Sequence, residues 1–586
     1  MRTPTRKHGV AALLAATALV GTACSAGGGG TPATATGSGG SAAPAKVETS
    51  SVTIGDAAAS TGPAAAEPGS RTGGTVTVYE AADMAHLDPA EVYPNNAQAI
   101  SMLFTRQLTT YKKVDGKYVL VGDLATDTGA TGDGGKTWTF TLKDGVKFDD
   151  GTPVTSKDVK YGIERLYDPG KVLGPKYVPQ WLSGADYTKA YKGPNKGGSL
   201  PDSVVETPDD KTIVFHLQGV HAEFPFAVAM PYTSPVQKSK DGKSYDNAPV
   251  STGPYKIEKH DDTQLTLVRN ENWDPATDPV RHNYPDRWEV KFGLQSQQAT
   301  QQFVSDVGQD KNAVSLSFGV DGQFAQQVQT QEDLKARLLT GINPYVYYYA
   351  INTSRVTDLN VRKAILTAFP KEQVRQIMGG PTYGDLATTI LSPTVQGFEK
   401  YDLYNVPPSG DPEAAKKLLA GATPTIVYAY QQSETSERAA VAIQQGLEKA
   451  GFKVVKKPIS SATWYDQTTK KDNGFDLYFS GWASDWPGGS GFLPALFDGR
   501  TITDGTYNYA RFNDDAVNAE IDRISAIGDV TEQNKQWMAL DKKLMEQVPV
   551  VPFAYLRSTR LYGSNVGAAD LDIYGATSLV NLFLKS

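Results

Sequence analysis

From Gly73 onward, apolar and polar residues alternate in short runs: TVTVY (75–79), TWTFTL (137–142), TIVFHL (212–217), TQLTLV (263–268), RWEVKF (287–292) and AVSLSF (313–318). A two-residue period puts every second side chain on one face, so each run predicts a half-buried strand. The period lengthens to that of a helix in SKDVKYGIERL (156–166), DPEAAKKLLAG (411–421) and ERAAVAIQQGLEKAG (437–451). Asp411 stands where it caps, Pro412 at the first helical position, and Gly421 and Gly451 where helices stop. The later half repeats helix and strand, with FKVVKKPI (452–459) after one helix and FDLYFSGW (475–482) further on. This alternation predicts an α/β fold without internal repeats.

Before Gly73 the pattern is different. Arg2, Arg6 and Lys7 precede the apolar run VAALLAATALV (10–20). The run is shorter than the roughly 20 residues that span a bilayer but suits a secretory signal, so residues 1–23 are expected to direct export. The only cysteine, Cys24, follows Gly21, Thr22 and Ala23, where a bacterial lipoprotein carries its lipid-modified first residue. A cut near Ala23 with an incidental thiol is the plainer alternative; the position of the sole cysteine favours lipidation. From 25 to 72 the chain is rich in Gly, Ala, Thr, Ser and Pro and has no aromatic residue. Such a composition buries too little apolar area to fold, so residues 24–72 are expected to form a disordered tether. No other stretch is long and apolar enough to span a membrane.

Composition narrows the function. The 586 residues leave room for several domains. With 57 Lys and Arg against 64 Asp and Glu, the net charge is −7, and no basic block offers a footprint for nucleic acid. One cysteine forbids an intrachain disulfide and a thiolate metal cluster.

Enzyme motifs are weak. GGKT (134–137) resembles the end of a phosphate-binding loop, but Ala130 stands where the first glycine is needed and a strand follows instead of a helix. It reads as a hairpin turn. His216 and His221 do not match the spacing of a zinc helix, and no HExxH motif occurs. No GxSxG elbow lies in the folded region, and no histidine follows His282. The expectation is no enzyme, no metal and no cofactor.

The stretch GDGGKTWTFTLKDGVKFDDGTPVTSKDVKYGIERL (132–166) resembles the signature segment of the bacterial extracellular solute-binding proteins of family 5, the oligopeptide and dipeptide receptors of ABC importers. HLDPAEVYPNN (86–96), STGPYKI (251–257), LNVRKAIL (359–366), DPEAAKKLLAGA (411–422) and FDLYFSGWASDWPGGSGFL (475–493) are similar to further family blocks, in the same order. The chain departs from the pattern at Ala368, Phe369 and Pro370, and again at Trp486 to Gly489 after Asp485.

The resemblance implies a two-lobed type II clamp: lobe 1 with an extra subdomain over 73–330, lobe 2 over 331–551, and a return to lobe 1 over 552–586. It implies a short peptide, or another small solute, held between the lobes of a monomer and passed to ABC permease subunits. Asp485, in the Gly-Trp-x-x-Asp motif with Gly481 and Trp482, would pair with a ligand ammonium; capping of a turn is the alternative. Trp482 and Trp486 would wall side-chain pockets, and Gly481 and Ala483 would present backbone. Glu91, Val92 and Tyr93 would face the ligand from the other lobe. Tyr345, Tyr347, Tyr348 and Tyr349 alternate along a strand, so only one face could reach the cleft, and core packing is the default expectation. No residue is assigned to a ligand carboxylate, although Arg355, Arg362 and Arg375 are available. A non-peptide solute such as a sugar, an opine or a metal chelate, and an exported hydrolase, are the competing readings.

Overall fold

The computed structural model describes residues 52–586, except 85 and 173. The expected signal peptide, the anchor at Cys24 and the tether as far as residue 51 lie outside the described residues.

The alternating runs form strands. In the first lobe Thr75–Tyr79 pairs in parallel with Ala313–Ser315 and Arg287–Lys291, and the sheet continues through Gln264–Arg269 to Tyr255–Asp261. Val76, Val78, Leu265, Leu267, Trp288 and Val290 point into one core. The extra subdomain is built on a sheet of Thr137–Thr141, Thr212–His216 and Val205–Glu206, covered by the helix Ser156–Arg165. GGKT sits in a turn, with Asp133 accepting the N–H groups of Lys136 and Thr137.

Residues 52–72, expected as part of a tether, are instead attached to the first lobe. Val52–Ile54 adds a parallel strand to Lys117–Gly122, and Val52 is buried. The Ser60 hydroxyl accepts the Gly122 N–H, Ala64 donates to the Asp278 carbonyl, and the Tyr284 hydroxyl accepts the Glu67 N–H. These residues build no core of their own. They satisfy their backbone groups on a core made by others, which composition cannot register.

The second lobe is a six-stranded sheet. Its central strands are β1 (Leu338–Ile351), β2 (Leu477–Ala483) and β3 (Val550–Leu561), with β1 antiparallel to both neighbours. Thr425–Gln431 and Lys453–Ile459 extend it in parallel on one side, and Gly384–Leu386 closes the other. The helix Glu434–Lys449 buries Ala439, Ile443 and Leu447, four residues apart, and Ser433 caps it. The departure at Pro370 is a helix boundary: Leu359–Ala368 stops, Phe369 is extended as a residue before proline must be, and Lys371–Met378 begins.

β1 and β3 connect the lobes. Leu338 and Leu561, at their paired far ends, pack against Tyr79 and Phe303 of the first lobe. β3 therefore runs through the expected boundary at 551/552, and the return begins only after Leu561. It ends with Val566, Leu579, Leu582 and Leu584 in the first-lobe core.

Candidate functional site

β2 sets the site. Tyr478, Ser480 and Trp482 are buried, while Phe479, Gly481 and Ala483 are half-buried and face a cleft of about 440 Å³. A Cβ on Gly481 would lie 2.2 Å from Cδ1 of Tyr347 on β1, so glycine is needed there to let the tyrosine ring cross the strand. Trp482 donates its indole N–H to the Gly491 carbonyl at 3.1 Å and packs 5.0 Å from the Tyr507 ring.

After β2 the chain enters a tightly held loop. The Ser484 hydroxyl donates to the carbonyls of Trp486 and Gly488, and Asn534 accepts the Gly489 N–H at 3.0 Å. Asp485 is 7% exposed. Its two oxygens accept the Tyr93 hydroxyl at 2.8 Å and the Tyr177 hydroxyl at 2.7 Å, both from the first lobe. The Tyr574 hydroxyl donates to its carbonyl at 3.3 Å. Among the described residues no backbone N–H reaches the carboxylate, so Asp485 is not a turn cap, and no Lys, Arg or His pairs with it. Burial pushes its carboxyl up to about 6, with the Tyr177 and Tyr93 hydrogen bonds opposing. The same burial, with the nearby carboxylate, raises Tyr93 and Tyr177 well above the ordinary phenol range, so both remain neutral donors.

Ten of the nineteen residues lining the cleft are aromatic, and Asp485 is the only carboxylate; none is Lys, Arg or His. Five sequence-derived candidates meet there: Gly481, Trp482, Ala483, Asp485 and Tyr93. Three do not. Glu91 lies 3.2 Å from Lys171 and 3.4 Å from His86, and Val92 is buried in the first-lobe core. Trp486 is 2% exposed and enters the core of the extra subdomain, 4.6 Å from Tyr177 and 5.8 Å from Trp181. Indole area outweighs cleft exposure there, because a neighbouring aromatic core is available to bury it. Tyr345 and Tyr347, on one face of β1, line the cleft against the default expectation of core packing, while Tyr348 and Tyr349 are buried. Sequence reasoning missed Tyr177, Tyr507 and Tyr574, which lie in no motif.

The Asp88 of the LDP segment is a structural anchor. Arg165 Nη1 meets it at 2.7 Å and Lys171 Nζ at 3.0 Å, holding its carboxyl below the usual range against the opposing effect of burial. That pins the segment leading to Tyr93. Nearby, His86, Glu91 and Asp246 could hold a cation, but Asp246 already takes His86 Nδ1 at 2.7 Å and the N–H groups of Leu87 and Asp88.

The model of the middle region of bacterial extracellular solute-binding proteins, family 5, matches residues 119–504. The chain belongs to this family. Among curated relatives of this family 5 protein is the periplasmic murein peptide-binding protein MppA of Escherichia coli K12, 26% identical over 72% of this chain and 78% of MppA. The periplasmic oligopeptide-binding protein OppA of Salmonella typhimurium is 25% identical over 77% of this chain and 81% of its own. Among solved structures, clavulanic acid biosynthesis oligopeptide binding protein 2 superposes with a TM-score of 0.81 at 29% identity, covering 88% of this chain and 96% of that one. The family 5 fold is the type II clamp, and its members are solute-binding proteins rather than enzymes. Among the described residues, no helix is long and apolar enough to cross a membrane.

Proposed function

We propose that this family 5 protein captures short peptides on the outer side of the cytoplasmic membrane, anchored through a lipid on Cys24, and delivers them to the permease of an ABC importer. Asp485 carries the reading: a buried carboxylate at the wall of an interlobe cleft, held by two phenols and paired with no cation. An unpaired buried charge is costly, and a ligand ammonium supplies the missing partner. β2 pairs with β1 along its whole length but with Thr425–Gln431 only at Leu477 and Tyr478, which leaves the backbone of Phe479 to Ala483 for an extended peptide, whose main chain gives affinity without side-chain identity. The names of the relatives, which describe peptide binding, support the same class.

Calorimetric titration of the ligand-stripped chain with pooled short peptides, before and after N-acetylation, tests this. Saturable heat that disappears on acetylation is expected; no heat from the free pool would overturn the peptide reading in favour of a sugar, opine or chelate.

A further inference from the structure

The arginines that the sequence makes available for a ligand carboxylate are engaged elsewhere. Arg355 Nε meets Asp476 at 2.7 Å. Arg362 donates to the carbonyls of Val356, Thr357 and Gln547, and Arg375 pairs with Glu372 at 2.8 Å. Arg511, beside the cleft residue Tyr509 in sequence, donates to the carbonyls of Thr468, Lys470, Lys471 and Asn508. None of these arginines lines the cleft.

What the cleft offers is one carboxylate among phenols and other uncharged groups, the side chains of Asn95, Gln98, Gln431, Ser480 and Ser484, with no cation to neutralise a second carboxylate. Tyr345, Tyr347 and Tyr507 are themselves held above the ordinary phenol range by burial, so they are neutral at physiological pH. Neutral hydroxyls can donate to an anion but cannot cancel its charge, and their ring faces attract cations. A zwitterionic ligand enclosed here would bring a second carboxylate into a poorly screened space that already holds Asp485. A monocation would leave the cleft neutral.

We infer that the cleft has no seat for a ligand carboxylate, so that this protein selects amine cations whose carboxylate is absent, blocked or left outside, such as peptide amides, over free zwitterionic peptides. This rests on the reading of Asp485 as the ammonium partner. It adds a selectivity at the other end of the ligand.

The test is calorimetric titration of the full chain, stripped of trapped ligand, with a tripeptide pool in three forms: free acid, C-terminal amide and N-acetylated acid. The amide pool is expected to bind about tenfold more tightly than the free acid. Free acid binding as tightly as the amide, or more tightly, would overturn the inference while leaving the peptide reading in place. Silence from both free-amine pools would remove that reading and this inference with it. Lys176 directly precedes Tyr177, a hydrogen-bond partner of Asp485, and forms no ion pair with any of the described residues. In K176M the ratio of amide to acid affinity is expected to stay unchanged; a threefold or greater rise would identify Lys176 as a carboxylate seat and likewise overturn the proposal.

Discussion

With its carboxyl raised to about 6 by burial, Asp485 changes charge inside the range where binding is measured. The pair needs the carboxylate ionised and the peptide amine, which titrates near about pH 8, protonated, so affinity for free-amine peptides is expected to peak near about pH 7, to fall about tenfold per unit below about pH 6 and to fall again above about pH 8. Calorimetry across that range checks it. The groups facing the carboxylate are the phenols of Tyr93 and Tyr177, both neutral throughout. Removing one by Y177F deletes a hydrogen bond to a charged group, of about 1.5–3 kcal/mol. The midpoint of the binding profile is then expected to move upward by about one to two pH units. In D485N the unpaired charge is gone. The apo protein is expected to gain about 1–3 kcal/mol against denaturant at neutral pH and to lose peptide binding. Asp485, Gly481 and Trp482 were legible because they lie in one local motif; Tyr177 and Tyr574 reach the same site from more than 80 residues away, and no local pattern marks them.

The elements that place the site are β2 and the loop after it. G481A puts a methyl group where the Tyr347 ring lies, and overpacking of this kind costs about 1–3 kcal/mol. The ring is expected to shift into the cleft and weaken peptide binding, with a smaller loss of stability, as read by calorimetry and denaturant unfolding. Trp486 leaves the second lobe to fill a core of the first, so its truncation removes a contact between lobes. Large aromatic truncations cost about 3–5 kcal/mol, and here the closed arrangement bears the loss. W486A is expected to show a larger radius of gyration by small-angle scattering without loss of helical circular dichroism; unchanged scattering would count against it.

For the whole molecule, two sets of buried carboxylates oppose each other with pH. Burial raises Asp485 and Asp572 to about 6 and Asp541 to about 7. Each binds its proton more tightly folded than unfolded, so the stability it contributes is present below about pH 4 and is lost as pH rises toward 7. Asp278 and Asp88 are held below the usual range, the first by Arg106 and Arg281 and the second by Arg165, in both cases against burial. Their contribution is present above about pH 4 and is lost as pH falls. Thermal melts are expected to peak between about pH 4 and 6, and D541N to flatten the decline on the alkaline side.

The sequence alone determined the fold class, the strand and helix periods, the family motifs and the loop that bears Asp485, because these depend on residues near one another in the chain. It misjudged residues 52–72, of which Val52–Ile54 adds to a sheet edge and Ser60, Ala64 and Glu67 bond to groups distant in the chain, and Trp486, whose burial depends on a core in the other lobe. Only the tertiary structure decided that Asp485 meets two phenols and no cation, and that Arg355, Arg362 and Arg375 are engaged elsewhere. Charge pairing and desolvation depend on distances across the closed clamp, and such distances leave no periodic trace in the order of residues.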